Sequence, residues 1–307
     1  MRAIVALAVA LLVLPVARAA APVRSVTTPG IVEAMAMGGR EVAYADGRSA
    51  RDCDRVRIWN LQTRRVTTLG RTTSCEETST GVGIADVAIA DGRVLWLHYA
   101  GGNIREWRLF TATRTSTRPR LLRFVARDVD APAPIVLGDA NGSRFGSLLP
   151  YAVDRDVTVL RANGSKAFGR RAPARVVALS ALFGRVAVAF EGGHVEILDS
   201  SGKVVRTEDF AGEISAVKLS GDGVLVQRGR TLELRRPGLT RTFLLRSGSV
   251  LTDTTGERAL YVASRQIREL SLRDGSDRAI AAGSHAEAEL STLAVASGRS
   301  VLVRLLP

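Results

Sequence analysis

The chain has 307 residues, 46% of them hydrophobic, with 29 Gly and 10 Pro. That length and mix allow a sizeable buried core and exclude a collagen, a coiled coil and a wholly disordered chain. The formal charge of +13 comes from 43 basic residues against 30 acidic ones, and only Lys166, Lys203 and Lys218 are lysines, so the excess is almost all guanidinium.

The first segment reads as an export signal. Arg2 supplies a positive start, Ala3 to Val16 is an apolar run, and Ala17-Arg18-Ala19 offers a small-residue cleavage site. An uncleaved anchor would need about 18 apolar residues, and this run is interrupted by Pro15 and Arg18. No Cys follows it to accept a lipid, and no later segment is apolar enough to span a bilayer. The expectation is a signal peptide over 1–19 and a secreted or extracytoplasmic domain over 20–307, without a membrane anchor after cleavage.

Cys53 and Cys75 are the only cysteines, and an even count in an exported chain predicts a disulfide. The bond would close a loop of about 22 residues and contribute roughly 3 kcal/mol.

Beyond the leader one phrase returns in chain order, a Gly turn followed by a short alternating run. It reads GGREVAYADG at Gly39, DGRVLWLHYAGG at Gly92, NGSRFGSLLPYAV at Gly142, FGRVAVAFEGG at Gly184, DGVLVQRG at Gly223, TGERALYVAS at Gly256 and SGRSVLVRLLP at Gly298. The mean spacing is about 43 residues, the length of a four-stranded propeller blade. Second alternating runs follow (DRVRIWNL, NIREWRLF, RDVTVLRA, HVEILDSS, RTLELRR, QIRELSLR), then hairpin turns and short outer strands such as RRVTTLG and KVVRTEDF. Period-2 alternation buries one face of a strand and wets the other.

The fold expected is therefore all-β, a single propeller of seven blades with four antiparallel strands each. In the last repeat the reading places an inner strand near Glu289 to Val295 and a second strand over Ser300 to Pro307. Ala21 to Gly30 then supplies the missing outer strand and closes the ring. Ser284 to Ser297 has helical composition and is assigned to strand by its place in the repeat alone.

The segment VRIWNLQTRRVTTL (Val56 to Leu69) resembles the third strand, turn and outer strand of a WD-repeat blade, with Trp59-Asn60 where that family has Trp-Asp. GGREVAYADGR is similar to Tol-Pal-type periplasmic propellers. The resemblance, at the level of pattern, is to a secreted bacterial propeller.

Candidate ligand-face residues are few. Loops joining second to third strands, and those joining one blade to the next, share one face, where Cys53 and Cys75 belong. His98 at the end of a second strand, His194 at the start of a third, and His285 in the loop before the last inner strand map there too. They lack the fixed pair spacing that would bring two nitrogens to one ion, so no metal is expected. Trp96 and Tyr99 could stack on a planar ligand, or wedge between blades. No G-x-S-x-G elbow, G-x-G-x-x-G loop or H-E-x-x-H pair is present, and no cofactor is implied.

Two functions follow as expectations. The first is a non-catalytic, monomeric binding or scaffolding propeller that engages a protein or an anionic envelope polymer through its disulfide-bearing face. The second is a propeller enzyme of the lactonase or lyase type with a central-channel site. So basic a surface favours polyanions, yet the arginines alternate with apolar residues and also read as solvated strand faces. Nucleic acid is not an expected partner of an exported chain.

Overall fold

The computed structural model describes residues 23–47, 55–70, 78–141 and 147–306. Among them are 28 β-strands and no helix. Strand β1 (Arg24–Thr27) is followed by β2–β5 (Ala34–Gly38, Glu41–Ala45, Val56–Asn60, Val66–Leu69) and β6–β9 (Val82–Ala90, Arg93–Gly101, Ile104–Thr113, Arg120–Asp128). Next come β10–β13 (Ile135–Asn141, Leu148–Val153, Asp156–Arg161, Lys166–Arg171) and β14–β17 (Val176–Leu182, Arg185–Phe190, His194–Leu198, Val204–Asp209). The chain continues through β18–β21 (Ala216–Ser220, Gly223–Arg228, Thr231–Arg236, Leu239–Leu244) and β22–β25 (Val250–Thr255, Arg258–Ala263, Gln266–Ser271, Asp277–Ala282). It ends with β26–β28 (His285–Glu289, Thr292–Ser297, Ser300–Leu305).

Each group is an antiparallel meander running from an inner to an outer strand, and the meanders are arranged as a propeller. Inner and second strands are mostly buried, whereas outer strands such as β17 alternate between half-buried and exposed. Apolar side chains pack between consecutive meanders. Ile58 and Ala43 meet Val94 and Trp96, Val195 and Ile197 meet Val217 and Val224, and Tyr44 and Trp59 meet Ala294 and Val303, which returns the ring to its start. Trp96 and Trp59 are therefore wedges between sheets.

Closure is made by the N-terminal strand. β1 pairs antiparallel with β28, Arg24 opposite Val303 and Thr27 opposite Ser300. The Thr28 amide donates to Arg299 O at 2.9 Å and the Val32 amide to Gly298 O at 3.0 Å. An open propeller would leave β28 as an unpaired edge, which invites aggregation.

Two expectations need correction. Glu289 to Val295 is not one inner strand: it contains the Leu290-Ser291 turn, so β26 is inner, β27 second and β28 third, and only the outer strand is missing. Alternation with alternate burial overrides the helical composition of Ser284 to Ser297. Seven separate four-stranded sheets are not observed either, because five are four-stranded and the remaining eight strands form one sheet. There β10 pairs parallel with β14, Gly138 through Asn141 opposite Leu179 through Leu182. Gly138 makes this possible, since a Cβ there would lie 2.7 Å from both Leu179 Cβ and Pro150 Cγ.

Many arginines are not merely solvated faces. Arg235 reaches Glu233 at 2.7 Å and Glu208 of the preceding meander at 3.1 Å, while Arg170 reaches Glu196 of the next at 2.9 Å. Isolated exposed pairs are worth little, whereas a network of half-buried ones resists the sliding of one sheet past another.

Candidate functional site

A meander places two kinds of connection at opposite ends. Inner-to-second and third-to-outer turns form a hairpin face, and second-to-third loops with inter-meander crossings form a loop face. The inner strands run between the two and line the axis.

One register position recurs along that axis. Asp139, Ser180, Lys218, Asp253 and Glu287 each stand two residues before the end of β10, β14, β18, β22 and β26. In β2 and β6 the same position is Ala36 and Ala88, with Asp86 two residues further up β6. Several of these side chains brace neighbouring meanders. Ser180 Oγ accepts from the Leu219 amide at 3.0 Å. Asp253 is fully buried, and its two carboxylate oxygens accept from the Thr254 amide at 2.7 Å and from the Ala288 amide of the next meander at 2.6 Å. Lys218 Nζ lies 3.1 Å from Asp139 Oδ2, crossing the axial space between non-adjacent meanders.

The electrostatics follow from burial. Asp86 is pushed up to about 6 by burial, against its bond from the Val87 amide and the pull of Lys218. Burial raises Asp253 to about 7, opposed by Lys218 and reinforced by Asp139. Glu287 is held well above the carboxylate range by burial and by the neighbouring Asp253. Burial works against the Lys218 ammonium, but Asp139, Glu287 and Asp253 outweigh it and hold the proton on. Near neutrality the axis therefore carries the Lys218 ammonium beside raised acids, of which Asp253 and Glu287 titrate together.

A second group stands at the loop-face entrance. The Glu33 carboxyl is raised by burial, while the Ile84 amide bonds to it and pulls it back. His285 bonds to the Glu33 backbone, yet burial dominates and lowers its pKa, and its Nδ1 lies 3.0 Å from Ser284 Oγ. Gly83 lets this corner close: a Cβ there would be 3.2 Å from Tyr99 Oη and 3.3 Å from Glu33 Oε2. The Arg105 guanidinium lies 5.1 Å from the Tyr99 ring centroid and 5.9 Å from that of Trp107. Tyr99 and His285 thus flank Glu33, a convergence of three meanders.

The other sequence candidates are scattered. His98 is a buried residue inside β7, three residues short of its end rather than terminal. His285 opens β26 instead of lying in a loop. His194 opens β16, its Nδ1 2.6 Å from Asp209 Oδ1 and its ring stacked on Phe190. Trp96 is 1% exposed and stacks on Phe110, which removes it from any ligand face. Cys53 and Cys75 lie outside the described residues. Among the described residues no group of three His, Cys, Asp or Glu side chains could hold a metal ion. The axial acids emerge only when the inner strands are aligned by their turns, and Glu33 lies just before β2 with no motif around it to mark it.

No protein-family model matches the chain, and no curated protein is significantly similar to it. Solved structures are similar in fold. A chain of the mitotic checkpoint complex matches with a TM-score of 0.59 at 12% identity, over 92% of this chain and 95% of that one. Sqt1 of Saccharomyces cerevisiae matches at 0.52 and 11% identity, over 92% and 98%. The computationally designed Ika8 protein matches at 0.51 and 12% identity, over 91% and 98%. These likenesses show a WD-repeat-like propeller.

Proposed function

We propose that this chain is a non-catalytic binding or scaffolding propeller that engages a protein or an anionic envelope polymer through its loop face. Residues 1–19 are its signal peptide and 20–307 its one domain, which acts as a monomer outside the cytoplasm with Cys53 and Cys75 bonded. Counted as two blades, the eight-stranded sheet brings the ring to seven.

The observation that carries the reading is the use to which the axial polar groups are put. Asp253 spends both oxygens on backbone amides, Ser180 accepts from the next meander, and Lys218 is held against Asp139. Groups committed to bracing the ring are poorly placed to abstract or deliver protons in a reaction. The WD-repeat-like fold agrees with a scaffold, although fold alone does not assign function. At the loop face, Tyr99 and Arg105, stacked over the buried Trp107, offer the aromatic and guanidinium chemistry that anchors interfaces.

A photoreactive phenylalanine at position 99, in protein exported by its native host, should give a discrete crosslinked adduct that is lost when Arg105→Ala is added. The same group at Phe124, on an outer strand, should not give it. Turnover of lactone or uronate-polymer substrates, abolished by Glu33→Gln, would instead establish the enzyme.

A further inference from the structure

We propose that the seam where the ring closes carries, on the hairpin face, a binding site for a phosphomonoester with an apolar body. The site lies at the opposite end from Glu33 and does not rest on the loop-face reading. Closure brings together three arginines that are remote in sequence. Arg24 opens β1, the outer strand of the closing meander, and stands opposite Val303 in the register. Arg304 lies near the end of β28, and Arg40 in the turn between β2 and β3 of the first meander. All three line one groove of about 420 Å³ between these two meanders.

The protein holds these guanidiniums in place without neutralising them. Arg24 donates to Leu61 O, Arg40 to Gln62 Oε1 at 2.8 Å and Arg304 to Ile280 O at 2.6 Å, all of them neutral acceptors. The Leu61 amide donates to Arg40 O at 2.8 Å, which ties the two turns of the first meander into one wall. No carboxylate lines the groove, and among the described residues none of the three arginines is ion-paired. The acids around it are turned elsewhere. Glu41 pairs with Arg114 of the second meander, and Glu289, which is buried and does not line the groove, accepts from the Gly39 amide.

Elsewhere in the ring, arginines that gather are interleaved with acids. Arg235 reaches Glu233 and Glu208, Arg258 and Arg278 share Glu269, and Arg236 meets Asp222 and Glu257. Three guanidiniums around one groove repel one another, so an anionic ligand supplies here the charge that acids supply in those clusters. Each guanidinium keeps N–H groups in the planar fork that fits phosphate oxygens. A phosphomonoester, with a second pKa of about 6, is largely a dianion near neutrality, whereas a single carboxylate or a phosphodiester brings one charge. The walls select the rest of the ligand. Leu61, Val303 and Leu305 line the groove beside the arginines, Leu305 being 52% exposed, and the volume lies in the range of sites for small organic molecules. Because the arginines stand on both sides of the seam, bound ligand favours the closed ring.

The test is calorimetric titration of the purified protein with phenyl phosphate at pH 7.5 and constant ionic strength. Saturable binding at one site is expected, tighter than that of inorganic phosphate and weaker as salt rises. Saturating phenyl phosphate should raise the melting temperature. Arg40→Ala should weaken binding about tenfold, since it loses a charge-assisted bond to the phosphate. Its fold should be unaffected, because Arg40 is exposed and its side chain bonds only to exposed Gln62. Arg304→Met, which keeps an apolar stem, should lose a similar factor. Arg65→Ala removes an equal charge from the neighbouring β4–β5 turn, outside the groove, and should bind like the parent. Absence of saturable binding, inorganic phosphate bound as tightly as the ester, an unchanged affinity in Arg40→Ala, or an equal loss in Arg65→Ala would each overturn the proposal.

Discussion

Acidifying the protein from pH 8 to pH 5 should make it more stable, the reverse of the usual response of a carboxylate-rich fold. Asp86, Asp253 and Glu287 all hold their protons more tightly in the folded chain than in the unfolded one. The stabilisation from such a raised acid is complete below its unfolded pKa, near 4, and is lost as pH rises through the folded value. Here that window runs up through about 6 for Asp86 and about 7 for Asp253. Glu33, also raised, acts in the same direction. His285 opposes it, because its lowered pKa lets the unfolded chain take up a proton first as pH falls below 6.5.

For Asp86 alone, a move from 3.8 to about 6 is worth about 3 kcal/mol in full at 1.36 kcal/mol per unit, of which roughly half is gained by pH 5. Asp253 and Glu287 share a field with Lys218 and Asp139 and titrate as a set, so their contributions do not add. Less the His285 contribution, a gain of about 3–5 kcal/mol between pH 8 and pH 5 is expected, a large part of a typical folding free energy. Urea unfolding at constant ionic strength across that range measures it directly. Asp253→Asn should flatten the profile. Lys218→Met, which removes the only ammonium near the acids, should shift the profile to higher pH and lower stability at pH 8. Stability that is flat or falls on acidification in the parent, or a slope unchanged in Asp253→Asn, would refute the account.

Deleting Ala21 to Thr28 while keeping residues 1–20 should cost several kcal/mol, since it removes the β1–β28 pairing and bares a sheet edge. A markedly lower melting temperature with aggregation is expected, and a melt like that of the full-length protein would disprove closure. Gly138→Ala should destabilise by about 1–3 kcal/mol, because the new methyl meets Leu179 and Pro150 at 2.7 Å. Gly192→Ala, whose Cβ would have nothing within 4 Å, carries only the strain of its positive φ and should cost less; calorimetry of the two variants compares them.

The β architecture was legible because each meander repeats a turn, an alternating run and a second alternating run at a nearly constant interval. Closure was legible because APVRSVTTPG resembles RRVTTLG. The register of the last repeat was misread because SGRSVLVRLLP has the same turn-and-run form as a second strand while serving as the third. Alternation specifies strand and face but not rank within a sheet. The fusion of two meanders depends on one missing Cβ, at Gly138, in a strand otherwise like its counterparts. Of the site candidates, Tyr99 and His285 converge on Glu33, whereas Trp96 lies in the packing between sheets, where a large side chain is needed whatever the function.

The two ends of the ring differ in what they could read. At the loop face Glu33, raised by burial, and His285, lowered by it, stand beside the aromatic and guanidinium groups of Tyr99 and Arg105. Between the two ends, the Lys218–Asp139 contact and the Asp253 brace tie the inner strands of different meanders to one another.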